Sequence, residues 1–246
     1  MCVSTKIVIS VAVLILFPSI VLGIDWQQLI REVEEQYNGH SSHSTMQMQV
    51  RTAHWQRRLT MEAWSLERDH FLVRIVAPAK EQGVATLKVD KEVWNYLPNV
   101  DRVIKVPPSL MGGAWMGSHI TNNDLVKAAH IDEDYVFQLQ EENAEIWRIE
   151  GIPKAAAAVV WGRIIYTVRK ADRVPLLVEY FDEEYELVRT ITFADIQTVG
   201  NRTIPLKMIV QPIDKPEEQT VLHYENIAFD LPLTASFFSL RELKKR

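Results

Sequence analysis

The chain has 246 residues, 47% of them hydrophobic, with 27 Lys+Arg against 32 Asp+Glu for a formal net charge of −5 at pH 7. That acidic balance disfavours nucleic acid and tight adhesion to an anionic membrane, because both partners are held by clustered Lys and Arg. The single cysteine is Cys2, so the rest of the chain has no disulfide, thiolate nucleophile or cysteine-ligated metal and must rest on a hydrophobic core.

In chain order, residues 1–6 form a short segment with one positive charge, and 7–22 are an apolar run interrupted by Ser10, Pro18 and Ser19. With Val21-Leu22-Gly23 at its end, this is the n-, h- and c-region pattern of a secretory signal, 1–23, cleaved before Ile24. The run is shorter than the ~20 apolar residues of a membrane-spanning helix, and Pro18 breaks it. Lys6 is the only charge in it, so the mature chain is one unit more acidic. No repeat, low-complexity tract or linker divides residues 24–246, which read as a single exported domain.

Residues 25–37, DWQQLIREVEEQY, place Trp26, Leu29, Ile30, Val33 and Tyr37 on one helical stripe, with Asp25 as N-cap and Asn38-Gly39 as the stop. The period then changes to two. Met46, Met48 and Val50 alternate with Gln47, Gln49 and Arg51, and Phe71, Val73 and Ile75 share the next clear face. Ala85, Leu87 and Val89 alternate with Thr86, Lys88 and Asp90, and the pattern returns at 135–139, 176–180, 187–193 and 206–210. Short alternating strands at such intervals predict a mainly β, antiparallel sandwich or barrel with one wet and one hidden face. A short helix is expected after Thr121-Asn122-Asn123-Asp124, and PLTASFFSLRELKKR predicts a terminal turn or helix packing through Phe237, Phe238, Leu240 and Leu243. Three helices are too few to cover about ten strands, and are expected to cap one side of a curved sheet.

Catalytic and metal chemistry finds little support. The glycines of SLMGGAWMGSHITNNDL (109–125) match no phosphate loop and no nucleophile elbow. Ser118, His119 and Asp124 make a poor triad, because adjacent residues seldom direct their side chains at each other. His40-Ser41-Ser42-His43 lacks a third ligand and reads as a solvated turn. Asp132-Glu133-Asp134, Glu141-Glu142 and Asp182-Glu183-Glu184 read as charged hairpin turns. Asn201-Arg202-Thr203 is a glycosylation sequon, meaningful only in a eukaryotic secretory pathway. No enzyme activity and no cofactor are expected. What remains is apolar capacity: Leu110, Met111, Trp115 and Met116 sit in a loop hinged by Gly112, Gly113 and Gly117, and exposed loops rarely carry so much apolar area unless it docks on something. Methionine adds adaptable, polarisable surface.

The stretch VWNYLPNVDRVIKVPPSLMGGAWMGSHITNNDL (93–125) resembles the W-x-Y-L-P…R-x-x-x-x-P…W-M-G-S…N-x-D-L segment of outer-membrane lipoprotein-sorting proteins, the LolA-like superfamily. Residues 159–193, 199–229 and the ending SFFSLREL are similar to the same family's later strands and terminus. The matching positions are Trp94, Tyr96, Pro98, Trp115, Met116, Gly117, Ser118, Asp124, Trp161, Gly162, Arg202 and Pro205. The resemblance implies a half-open, curved antiparallel β-barrel (α+β) whose concave apolar side is covered by helices and loops. It also implies a periplasmic carrier for acyl chains of a lipoprotein or lipid, taking cargo from an inner-membrane transporter and passing it to an outer-membrane acceptor. The alternative is a non-catalytic sensor or adaptor for an inner-membrane transporter or regulator. Candidate cavity and lid residues are Met46, Met48, Val50, Trp94, Tyr96, Leu110, Met111, Trp115 and Met116, and strand parity leaves open which face is concave.

Overall fold

The computed structural model describes residues 23–36, 39–127 and 130–245. The expected signal therefore lies outside the described residues except for Gly23, as do Tyr37, Asn38 and the 128–129 end of the expected lid helix. Helix α1 (Trp26–Glu35) starts where predicted, with the Asp25 carboxylate accepting from Gln27 N and Gln28 N, and it buries Leu29, Ile30 and Val33. Residues 41–43 do not form the expected solvated turn. They open strand β1 (Ser41–Arg51), where Ser41 and Ser42 are buried and His43 stacks on Trp64.

Among the described residues thirteen strands make one antiparallel sheet, more than the alternation alone separates. After β1 come β2 (Gln56–Leu66), β3 (His70–Ala77), β4 (Ala85–Val89), β5 (Glu92–Leu97) and β6 (Arg102–Lys105), each pairing with the one before. The second meander runs β7 (Tyr135–Glu142), β8 (Ile146–Pro153), β9 (Arg163–Arg169), β10 (Pro175–Phe181), β11 (Leu187–Val199), β12 (Arg202–Pro212) and β13 (Gln219–Phe229). β13 pairs with β1, so the sheet order is β6-β5-β4-β3-β2-β1-β13-β12-β11-β10-β9-β8-β7, and its two edges stay open. The chain leaves the first meander at one edge and enters the second at the other. Residues 106–134 must therefore cross the whole sheet, and this crossing makes the lid.

The crossing holds helix α2 (Asn122–Lys127) and helix α3 (Ile131–Asp134). The acidic triplet 132–134, expected as a hairpin turn, belongs to α3. There Asp132 is 3% exposed and receives Arg31 at 2.8 Å and also Arg68. Its carboxyl resists desolvation because these two guanidiniums hold its pKa below the ordinary value.

Both faces of the sheet carry apolar clusters. On one face α1 packs over Tyr135, Ile149, Ile164 and Tyr166, and the crossing packs over Met46, Met48, Leu59, Met61 and Ile75. On the other face, the C-terminal segment with α4 (Leu240–Leu243) lays Phe238 and Leu243 over Leu66, Leu72, Leu87 and Tyr96. Leu240, expected to pack with them, is 46% exposed. Among the described residues no helix is long and apolar enough to cross a membrane.

Candidate ligand cavity

The register shows how the sheet builds an apolar floor. Leu59, Met48, Leu222, Met208 and Phe193 lie side by side across β2, β1, β13, β12 and β11. Next to them Val50, Thr220, Val210, Ile191 and Val178 form a second row running on to β10. Because side chains alternate across a strand, each row presents one face only, and this face carries a cavity of ≈ 240 Å³. Met46, Phe71, Met208, Leu222 and Tyr224 line its sheet side, and Trp115, Ile120 and Leu125 close it from the crossing. Desolvation pushes the Tyr224 hydroxyl up to about 12.

The roof is apolar in the middle and tied by polar contacts at its rim. Trp115 is 3% exposed, and its Nε1 donates to Thr86 Oγ1 at 3.1 Å. Met116 and Gly117 turn the chain with φ of 48° and 68°, a left-handed pair that favours glycine at its second position. The Met116 carbonyl accepts from Arg57 Nη1 at 3.1 Å. His119 donates from its backbone to Thr220 Oγ1 at 2.9 Å and sets its ring against Thr220 and Glu218. Thr121 and Asp124 exchange hydrogen bonds in a capping box that starts α2. Asp124 also accepts from Arg189 at 2.7 and 2.9 Å, and that guanidinium lies over the rings of Trp161 and Tyr180. Burial pushes the Asp124 pKa up, but Arg189 and Thr121 outweigh it and the net shift is downward. Ser118, His119 and Asp124 thus serve separate partners, since Ser118 Oγ donates to Trp115 O.

One end of the cavity is polar. Glu34 reaches it from α1, accepting from Tyr166 Oη at 2.6 Å, and desolvation raises its pKa to about 7. Ser65, Arg68 and Lys88 line the same cavity. Among the described residues no cluster of three or more His, Cys, Asp or Glu is placed to hold a metal.

The structure divides the residues expected at the site. Met46, Met48, Val50, Trp115 and Met116 belong to one cluster, with Met46 and Trp115 on the cavity wall. Met48 and Val50 are buried floor beneath it. Met111 packs instead with Val93, Val106 and Val126, and Leu110 is 59% exposed. Trp94 and Tyr96 lie on the opposite face, under the C-terminal segment, where Tyr96 Oη bonds Asp101 at 3.1 Å. The reason is parity. β4 turns Ala85, Leu87 and Val89 outward with Trp94 and Tyr96, and its polar set, Thr86 and Lys88, faces the cavity. Sequence reasoning missed Arg189, Glu34 and Lys88. A charged residue in an alternating strand reads as solvated, and only Arg189, beside the aromatic pair Trp161 and Tyr180 in space, has a partner set that the motif segment hinted at through Trp161.

A family model described as "Uncharacterized protein" matches residues 67–245, more than half of the chain. The chain belongs to that family. Its fold is LolA-like. An outer membrane lipoprotein-sorting protein domain from Vibrio parahaemolyticus is 24% identical, with a TM-score of 0.75 over 89% of this chain and 98% of that one. A DUF1329 family protein from Desulfovibrio piger ATCC 29098 is 21% identical, with a TM-score of 0.79 over 88% and 97%. A LolA superfamily protein from Nitrosomonas europaea is 18% identical, with a TM-score of 0.73 over 89% and 100%. The open curved sheet described above matches the LolA-like fold of these structures. No curated protein matches the chain.

Proposed function

We propose that this LolA-like protein is a non-catalytic periplasmic carrier that holds the acyl part of a lipid or lipoprotein under the 107–120 lid, on its way towards the outer membrane. One observation carries the reading: the cavity between an apolar floor and a loop is closed by a loop side chain, Trp115. Losing a buried tryptophan side chain costs about 3–5 kcal/mol, and each buried methylene returns about 0.8 kcal/mol. Roughly four to six methylenes seated in place of the indole therefore offset its displacement, and a longer chain tips the balance. The apparent signal segment and the lipoprotein-sorting domain among its structural relatives support the export and the cargo class.

The alternative, an adaptor for an inner-membrane transporter or regulator with a self-filled cavity, draws on two observations. The indole is hydrogen-bonded in place, and ≈ 240 Å³ is below the ~300–1,000 Å³ of ordinary ligand pockets. Native mass spectrometry of protein exported to the periplasm, followed by organic extraction, separates the two. A carrier arrives with bound lipid, or takes up a phospholipid or lipoprotein on mixing, and Trp115→Ser with Met116→Ser, which removes the side chain the tail must displace, changes its acyl affinity. Protein that is empty and refuses every acyl ligand sinks the carrier reading and supports the adaptor.

A further inference from the structure

On the cavity wall Lys88 is 2% exposed. Its Nζ donates to the Arg68 carbonyl at 2.6 Å, and among the described residues no carboxylate oxygen lies within 4.0 Å of it. The other charges here are balanced. Arg68 pairs with Asp132, Arg189 with Asp124, and Glu34 is held by Tyr166. Burial of an ammonium with no carboxylate in contact is costly, and it shows as a pKa lowered to about 8: desolvation is the main cause, and Asp69 and Asp90, acting from beyond 4.0 Å, do not offset it. A neutral residue would avoid that cost, so the lysine wants an anion in contact with it, closer than Asp69 and Asp90 stand.

Its position says where that anion comes from. Lys88 is flanked across the strands by Phe71 and Val93, and two residues along the same face of β4 is Thr86, the acceptor of the Trp115 indole. The indole therefore covers the strand position next to the ammonium. Lifting it uncovers a hydroxyl and a cation together, and the apolar floor leads away from them past Phe71 and Met46. An ion in free solution would gain nothing from that floor, and a neutral lipid would leave the ammonium unpaired.

Resting on the carrier reading above, we propose that Lys88 is a headgroup site and that the cavity takes a single-chain amphiphile ending in a carboxylate or a phosphate monoester. The acid seats on Lys88 beside Thr86, and its tail lies along the floor beneath the displaced Trp115.

Calorimetric titration of the whole protein with three ligands of the same oleoyl chain tests this, each kept below its micelle concentration. The three are oleate, oleoyl lysophosphatidate and monoolein, and inorganic phosphate serves as a fourth ligand and as a competitor. One or both acids are expected to bind at least about tenfold tighter than monoolein, and the tighter acid assigns the head. Lys88→Gln, and Lys88→Met as a second variant that keeps the aliphatic stem, are expected to bring acid and monoolein within about twofold of each other. Equal binding of acids and monoolein by the wild type, which needs no variant to fold, overturns the headgroup site and leaves the carrier reading standing. Failure of all three amphiphiles to bind overturns the carrier reading as well. Displacement of oleate by inorganic phosphate overturns the amphiphile and reassigns Lys88 to a free anion.

Discussion

Single side chains decide the electrostatics of this cavity, and Glu34 gives a measurable case. Desolvation holds its pKa at about 7 against the lowering effects of Tyr166 and Arg68. The folded state therefore keeps a proton that the unfolded chain releases near the ordinary value of 4.5. A folded pKa above the unfolded one means stability that is present below about pH 4.5 and lost as pH rises through about 7. Glu34→Gln, a neutral mimic of the acid, is expected to be more stable than wild type at pH 8 by about 1–3 kcal/mol, the lower end applying where water reaches the carboxyl. At pH 5 the difference should shrink, and denaturant titrations of both proteins at the two pH values check it. A difference that does not change with pH would mean Glu34 ionises as it does in water. Nothing in EVEEQ (32–36) separates Glu34 from its neighbours Glu32 and Glu35; it is distinguished by the depth of the wall that its helix turn faces.

Elements were legible in the sequence where one period held and one face was apolar. The α1 stripe and its Asp25 cap came out as expected, as did β1, because a single wet face leaves a clean pattern; β3 and β4 formed where their alternation put them, yet Leu72, Thr86 and Lys88 are buried, so neither strand has the wet face expected of it. β2 was not singled out. Its Met61 and Ala63 face the cavity cluster and its Trp64 and Leu66 the outer one, so both faces are apolar and the alternation is blurred. α3 was taken for a turn, because its acidic residues signal solvent unless Arg31 and Arg68 are known to meet them. The N-cap candidates of α2 were readable, but its anchor on β11 was not. That anchor carries a prediction. Arg189 is 7% exposed, so Asp124→Asn leaves a buried guanidinium without its counter-charge and should cost about 3–5 kcal/mol. Arg189→Met added to it is expected to recover part of the loss, measured as a double-mutant cycle. Acid should act alike, since the Asp124 pKa is lowered. Its contribution is present above about pH 4 and is lost as pH falls below that value. Additive single effects would remove the ion pair as the reason α2 holds its place.

For the whole molecule, the carrier reading gives the two faces of the sheet different work, one holding the fold and the other the ligand. Phe238 is 5% exposed and seals the outer face. Phe238→Ala should lower stability by about 3–5 kcal/mol, yet leave uptake of an acyl ligand intact well below the unfolding temperature. Trp115→Ala should alter uptake first. Parallel thermal melts and ligand titrations compare the pair, and loss of uptake in Phe238→Ala at a temperature where it is folded would mean the faces are coupled. By itself the sequence determined the β-dominated class, the helix at the start and the apolar loop around Trp115, because periodicity, caps and glycine spacing act over a few residues. It could not determine which face of each strand is concave. The two faces of a strand differ only by parity, and β4 resolved it against the expectation, with its polar residues inward. The 106–134 crossing and the pairing of β1 with β13 set that parity, bringing Trp115 over Thr86 and leaving Lys88 in the wall. Those contacts join residues far apart in the chain, and a local pattern carries no information about which of them will meet.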